Sequence, residues 1–420
     1  MKIDGKSGGG RSGGGKAGGK AGGDGTFRGR TTGRPSSGPG SPGGPSAPAG
    51  FDALDRRLVH ALQLDGRAPF SRIAAVLGVS DQTVARRYTR HRASGALKVL
   101  GLADAQALGD VTWMVRVQCA PDAAVSVAEA LARRTDTSWV SLLSGGTEIA
   151  AVCRAPSSDH SDALLLQKLP RTPSVVGVTA HCLLHEFFGG PQGLISKSGA
   201  LTDAQIAELS PGPPGPPGLP NPSNPPDSPS PPHPPSPPDP PSPPNPPGPS
   251  NSPNPAIPPA AAPLTLTDAD RHLFDALARD GRTPLGELAT VTGWSPSTVR
   301  RRLAELRADG VLYYDVDYDL RQFGYGVMVA LWLSVAPAEL AAAGEVLAAH
   351  PEVAFACATT GPNNLFASVL CQGTEALYTY LTTRVAALPG VRAMESAPRI
   401  RHIKGPGPLF APSPAAGRRR

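Results

Sequence analysis

The stretch DRRLVHALQLDGRAPFSRIAAVLGVSDQTVARRYTRHRASGAL, residues 55–97, returns as DRHLFDALARDGRTPLGELATVTGWSPSTVRRRLAELRADGVL, residues 270–312. The offset is 215 positions throughout, with no insertion or deletion, and 21 of the 43 aligned residues are identical. The identities include Asp55-Arg56, Asp65-Gly66-Arg67, Pro69, Gly78, Ser80, Thr83-Val84, Arg86-Arg87, Arg92-Ala93, Gly95 and Leu97. Shared composition does not give a gapless match of that length, so the chain carries a duplicated module.

Each copy reads as three helices. In the second, Leu273, Phe274, Ala276 and Leu277 form one helical stripe that Asp280-Gly281 ends. Pro284 opens the next helix, where Leu285, Leu288, Ala289 and Val291 keep helical spacing, and Gly293 marks a tight turn. Ser295 is a good N-cap and Pro296 suits the first helical position of a third helix running to Asp309-Gly310. Val299, Leu303 and Leu306 share its inner face. Ser295, Ser297, Thr298, Arg300, Arg301 and Arg302 stand over its first two turns and mostly face outward. Hydroxyls and guanidiniums at a helix start are what a DNA major groove accepts. The bland alternative is a solvated basic face, which the three-helix pattern and the duplication disfavour.

The first copy has helices over 55–65 and 70–77, a turn at Gly78, and a third helix from Ser80 to Ser94. Its outward candidates are Gln82, Thr83, Arg86, Arg87 and Arg90; its inward set is Val84, Tyr88 and His91. Amphipathic residues stand where the second copy has two leucines, so a looser core is expected here. Asp81 near the helix start would repel phosphate, which makes this reader the weaker of the two.

Two stretches of the 420-residue chain cannot build a core. Residues 1–50 are mostly Gly, Ser, Lys, Arg and Pro, and are expected to be a disordered basic tail able to touch phosphate. Residues 210–263 are a polyproline-II spacer, with 27 of the chain's 50 prolines between 211 and 260. The expected domains are readers at 51–100 and 264–325, followed by αβ domains at 108–190 and 326–405, with a disordered tail at 406–420. The net charge of +6 fits a nucleic-acid partner without establishing one. The five cysteines (119, 153, 182, 357 and 371) sit in apolar, strand-like runs and read as buried thiols of a reducing cytoplasm. No apolar run is long enough to span a bilayer, which leaves no membrane partner.

After each reader the pattern is βαββαβ, the order of a ferredoxin-like domain. The second block reads as strand 327–335, helix 337–350, strands 353–359 and 365–371, helix 374–388 and strand 391–403. The first repeats it at 112–119, 121–134, 138–144, 148–153, 157–169 and 175–187. The fold class is therefore α+β: two winged or three-helix helix-turn-helix readers, each joined to a ferredoxin-like domain.

Here the chain resembles the Lrp/AsnC family (feast/famine regulators), twice over. The resemblance is carried by Ser295-Pro296-Ser297-Thr298-Val299-Arg300-Arg301-Arg302-Leu303 and Asp309-Gly310-Val311-Leu312. Asp319-Leu320-Arg321-Gln322-Phe323-Gly324-Tyr325 and Leu388-Pro389-Gly390-Val391 continue it. It implies a DNA reader, a regulatory domain that dimerises through its sheet, and an amino-acid-like effector. Family members usually carry Gly-x-x-Asp in the hairpin turn associated with dimer contacts and effector. The corresponding candidates are Gly145 and Glu148 in the first block and Gly361 and Asn364 in the second, where Glu and Asn replace Asp.

His181, His185 and Glu186 suggest a metal site only superficially, because in a strand His181 and His185 lie about 13 Å apart. No metal, cofactor or catalytic residue is expected. Trp113, Trp139, Trp294 and Trp332 read as core or turn-packing residues. The resulting expectation is a cytoplasmic, nucleoid-associated regulator of transcription that binds double-stranded DNA. An architectural DNA-binding protein without an operator is one rival; a metabolic or ligand-storage protein using the βαββαβ domain is the other. A spacer of about 54 residues reaches up to about 165 Å as polyproline II. Residues 112–187 and 327–403 are therefore expected to pair with each other inside one chain.

Overall fold

The computed structural model describes residues 50–155, 169, 171–210 and 266–408. The helix expected over 157–169, the basic tail, the proline-rich spacer and the C-terminal tail fall almost entirely outside them.

The first reader consists of α1 (Ala53–Leu64), α2 (Phe70–Leu77) and α3 (Asp81–Ala93). Asp52 caps α1 in a capping box with Asp55, and Gly78 ends α2 in the left-handed conformation at φ 69°. That conformation is open to glycine at little cost, which is why both copies keep it. Two strands follow, β1 (Leu97–Ala103) and β2 (Val111–Cys119), then α4 (Ala124–Ala132), β3 (Thr137–Leu143), β4 (Glu148–Ala155), β5 (Val175–Phe188) and a short α5 (Asp203–Leu209). The second module repeats the plan: α6 (Asp268–Arg279), α7 (Leu285–Thr292), α8 (Pro296–Ala308), β6 (Leu312–Tyr318) and β7 (Val327–Val335). It closes with α9 (Leu340–Ala349), β8 (Val353–Thr359), β9 (Leu365–Cys371), α10 (Thr374–Tyr380) and β10 (Val391–His402).

The modules meet in two places, and both obey the duplication. Strand β1 pairs antiparallel with β6, from Leu97 opposite Tyr318 to Ala103 opposite Leu312, so that Leu100 faces Asp315 at the centre. Residue 315 is residue 100 plus 215; each central residue faces its own copy. An antiparallel pair centred in this way carries a local two-fold axis, which relates one reader to the other. Side chains respect the axis as well. Arg67 Nη1 donates to the Gly281 and Thr283 carbonyls at 2.8 and 2.9 Å. Its copy Arg282 donates back to the Gly66 and Ala68 carbonyls at 2.7 and 3.0 Å.

The second meeting is a closed eight-stranded barrel in the order β10-β3-β4-β2-β5-β8-β9-β7. Each module supplies a four-stranded ferredoxin-like sheet, and the last strand of each pairs with an edge strand of the other, β5 with β8 and β10 with β3. Closure removes the open edges that each sheet would otherwise expose. The interior is a joint apolar cluster of Met114, Leu143, Ala150, Trp332, Cys357, Phe366 and Ala397. Helix α4 covers the outside of one sheet, while α9 and α10 cover the other. The pairing expected from the sequence is thus present within a single chain.

Several expectations need correction. Helix 374–388 ends its α-helical part at Tyr380 and continues as a π-helical turn over Leu381–Val385. Residues 337–339 form a 3-10 turn ahead of α9. Trp139 is neither core nor turn: it bulges from β3 at φ 53° and is 44% exposed. The first reader is not looser. Tyr88 and His91 are both buried; Tyr88 packs on Phe70, and His91 stacks on Phe51 with ring centroids 4.4 Å apart. Strands β1 and β6 and the segment 191–209 had no counterpart in the sequence reading. Strand β1 is buried at five of its seven residues, so no alternation of polar and apolar positions marks it.

Candidate nucleic-acid interface

Helices α3 and α8 occupy equivalent places across the axis. Ser80 caps α3 by accepting the Thr83 N–H, and Ser295 caps α8 by accepting the Thr298 N–H, both at 3.2 Å. Val84, Tyr88 and His91 turn one face of α3 inward; Val299, Leu303 and Leu306 do the same for α8. The opposite stripe of α3 holds Gln82, Ala85, Arg86 and Thr89, and that of α8 holds Ser297, Arg300, Arg301 and Ala304.

The arginines divide into two kinds. Arg302 is half-buried, with Nε and Nη2 at 2.7 and 3.1 Å from the buried Asp270 carboxylate of α6. Its copy Arg87 reaches Asp52 and Asp55 through Nη1 at 2.6 and 2.9 Å. These guanidiniums brace the reading helix against the first helix of its own module and are not free to read a base. Arg90 also leans on Asp55, at 3.2 Å, while remaining exposed. Arg86 and Arg300 are exposed and make no ion pair among the described residues; Arg301 is 74% exposed and only 3.6 Å from Glu305 across one helical turn. Arg86, Arg87 and Arg90 line an open recess of about 270 Å³.

Charge follows the same division. Burial works against the Asp270 carboxylate, yet hydrogen bonds from Arg302 and Thr267 outweigh it and hold the group below its usual range. Hydrogen bonds to Asp52 and Asp55 push the Arg87 guanidinium up, and that to Asp270 does the same for Arg302. Sequence reasoning missed Asp55 and Asp270 as braces. The signal was available, since Asp55 and Arg87 are both among the residues kept at the 215-residue offset.

The hairpin positions are committed elsewhere. Glu148 is buried and accepts from Arg116 Nε at 2.5 Å and from Ser144 at 3.2 Å. Arg116 also grips Glu395 of the second module and lies over the Trp332 ring at 4.0 Å. Asn364 clamps the backbone of Val335, accepting from its N–H at 2.8 Å and donating to its carbonyl at 3.0 Å. Gly145 has φ 81° and faces open space; Gly361, at φ 102°, lies against the His181 ring. Among the described residues no group of three or more His, Cys, Asp and Glu is placed to hold a metal ion.

Comparison with known proteins agrees with this geometry. The AsnC-type helix-turn-helix domain matches at residues 51–90 and again at 266–307, and the Lrp/AsnC ligand binding domain at 328–409. The chain belongs to the Lrp/AsnC family. Among relatives of known sequence, the HTH-type transcriptional regulator FL11 of Pyrococcus horikoshii is 27% identical over 127 residues, 30% of this chain and 83% of its own length. Regulatory protein AsnC of Escherichia coli is 28% identical over 137 residues, 31% of this chain and 88% of its own. Each such Lrp/AsnC relative thus spans one module. A two-module likeness of fold is found in the siroheme decarboxylase NirDL, with a TM-score of 0.53 at 13% identity, covering 86% of this chain and 95% of that one.

Proposed function

We propose that this chain is a sequence-specific, DNA-binding regulator of transcription, acting at the nucleoid in the cytoplasm and carrying both halves of a dimeric Lrp/AsnC regulator on one polypeptide. The observation that carries this reading is the pair of capped helices, α3 and α8, related by the axis through Leu100 and Asp315 and each presenting an exposed guanidinium beside its capping hydroxyls. A two-fold-related pair of helices suits the local two-fold symmetry of duplex DNA. Ser295, Ser297, Thr298, Arg300 and Arg301 form the contact set of the second reader; Gln82, Thr83, Arg86 and Arg90 form that of the first. Arg87 and Arg302 hold their helices in the reading position. The barrel is the regulatory part, with a small effector such as an amino acid as its ligand. Because Glu148 and Asn364 are already engaged within the barrel, ligand recognition there rests on groups other than their side chains.

The test is binding of the full chain to duplex DNA at fixed salt, with specific and non-specific duplexes compared. A preference over salt-matched random DNA that falls in Arg301→Ala supports the reading. Equal affinity for every duplex would instead favour the architectural alternative. No binding at all would remove the function.

A further inference from the structure

Equivalent positions on the two reading stripes do not carry equivalent chemistry. Ser80 and Ser295, Thr83 and Thr298, and Arg86 and Arg301 are matched pairs, so the caps and one guanidinium are common to both readers. At the first stripe position Gln82 stands where α8 has Ser297. Three residues on, Ala85 stands where α8 has Arg300. Both positions lie on the outer face, i and i+3 along the helix, and so reach neighbouring base edges. Gln82, Ser297 and Arg300 are exposed, and the side chains of Gln82 and Arg300 have no hydrogen-bond or ionic partner among the described residues. The axis fixes which position on one half-site corresponds to which on the other.

The chemistry of these groups then separates the half-sites. A glutamine amide pairs bidentately with adenine through N6 and N7, whereas an arginine fork pairs with guanine through O6 and N7. Serine discriminates weakly, and alanine does not reach. Resting on the DNA-binding function proposed above, we infer that the operator is not a palindrome. Its two halves share one guanine, read by Arg86 in one and Arg301 in the other. They differ beside it: the first half has an adenine opposite Gln82, and the second a further guanine opposite Arg300. A homodimer of single modules cannot make this distinction, because its readers are identical; a tandem chain can.

Selection of duplexes from a randomised library by the full chain, followed by titration of defined duplexes, tests this. Wild type should enrich unlike halves. Gln82→Ala should lose about tenfold discrimination for adenine in one half only, and Arg300→Ala a similar factor for guanine in the other. The double substitution Gln82→Ser with Ala85→Arg gives both readers the same residues at these two positions, so that variant should enrich halves that are alike at the bases these positions read. These residues are exposed, and matched thermal melting would confirm that the variants fold. A palindrome enriched by wild type, or halves still unlike at those bases enriched by the double variant, would overturn the inference while leaving DNA binding intact. No enrichment by wild type would overturn both.

Discussion

In the second reader, Arg302 docks on Asp270 and two leucines seal the helix from within; the first reader reaches the same geometry by a different route. There Asp55 receives Arg87, Arg90 and, at 2.9 Å, His91 Nε2, while Phe51 stacks over His91. Tyr88 packs on Phe70, and Arg282 from the other module lies 4.4 Å above the Phe70 ring and 5.5 Å from that of Tyr88. The segment after β5 also returns to this reader, where Gln205 donates to the Val76 carbonyl at 2.8 Å and Ile195, Leu201 and Leu209 join its core. What looks from sequence like a degraded core is thus a core rebuilt around polar contacts and a neighbour. The second reader depends more on its own leucines, the first on Asp55 and its surroundings.

That contrast predicts unequal responses to equivalent substitutions. Asp55→Ala removes the buried carboxylate shared by Arg87, Arg90 and His91, of which Arg87 keeps Asp52 at 2.6 Å, and should cost about 3–5 kcal/mol. Asp270→Ala strands mainly Arg302, which keeps Glu305 at 3.3 Å, and should cost less. Urea denaturation of both variants would measure the gap; equal losses would show that the first reader is not specially dependent on its carboxylate.

The axis gives the next largest effect. A Cβ on Gly66 would lie 2.7 Å from the Tyr314 Cβ and 2.8 Å from a Val99 methyl, and one on Gly281 would lie 2.9 Å from the Leu100 carbonyl carbon. Gly66→Ala and Gly281→Ala should each destabilise by about 1–3 kcal/mol through overpacking. Gly293→Ala, with nothing within 4 Å, would show only the strain of its φ of 72°. Thermal melting distinguishes them by whether the reader-to-reader contact loosens.

A smaller effect follows from the centre of the β1–β6 pair, where Leu100 and Asp315 occupy equivalent places with unlike chemistry. Burial pushes the Asp315 carboxyl up to about 6, partly offset by hydrogen bonding from the Val316 N–H. A carboxyl raised in the folded state adds stability below its unfolded value, near 4, and loses it as pH rises to about 6. Asp315→Asn should therefore be more stable than wild type at neutral pH and less pH-dependent between these limits, by on the order of 1–2 kcal/mol. Parallel melting curves for the two proteins across that range would refute this.

The least effect is expected in the regulatory barrel. Thermal shift with single amino acids should show a ligand response that persists in Asn364→Ala if recognition lies away from that side chain. A response abolished by that substitution would return the site to the hairpin.

The sequence was most legible where one residue type has one use. Gly78 and Gly293, the Ser80 and Ser295 caps, and the apolar stripe of α8 located the readers, and strands 327–335, 353–359 and 365–371 begin and end where the reading placed them. It was least legible for arginines, because a guanidinium braced on a buried carboxylate and one aimed at a groove have the same identity and almost the same spacing. Only the partner distinguishes Arg302 from Arg301, and that partner, Asp270, lies two helices away in the chain. Strand β1 was hidden for a related reason: its residues are buried by the other module, which periodicity within one segment does not register.

The pairing of two unlike modules inside one chain is most directly tested by the mass of the intact protein in solution. Light scattering on the full chain, diluted well below the concentrations at which separate domains associate, should give one chain per particle with both modules folded, because the tether holds the halves at an effective concentration on the order of millimolar. A particle of two chains that persists on dilution, or halves that fold separately and never associate, would contradict it.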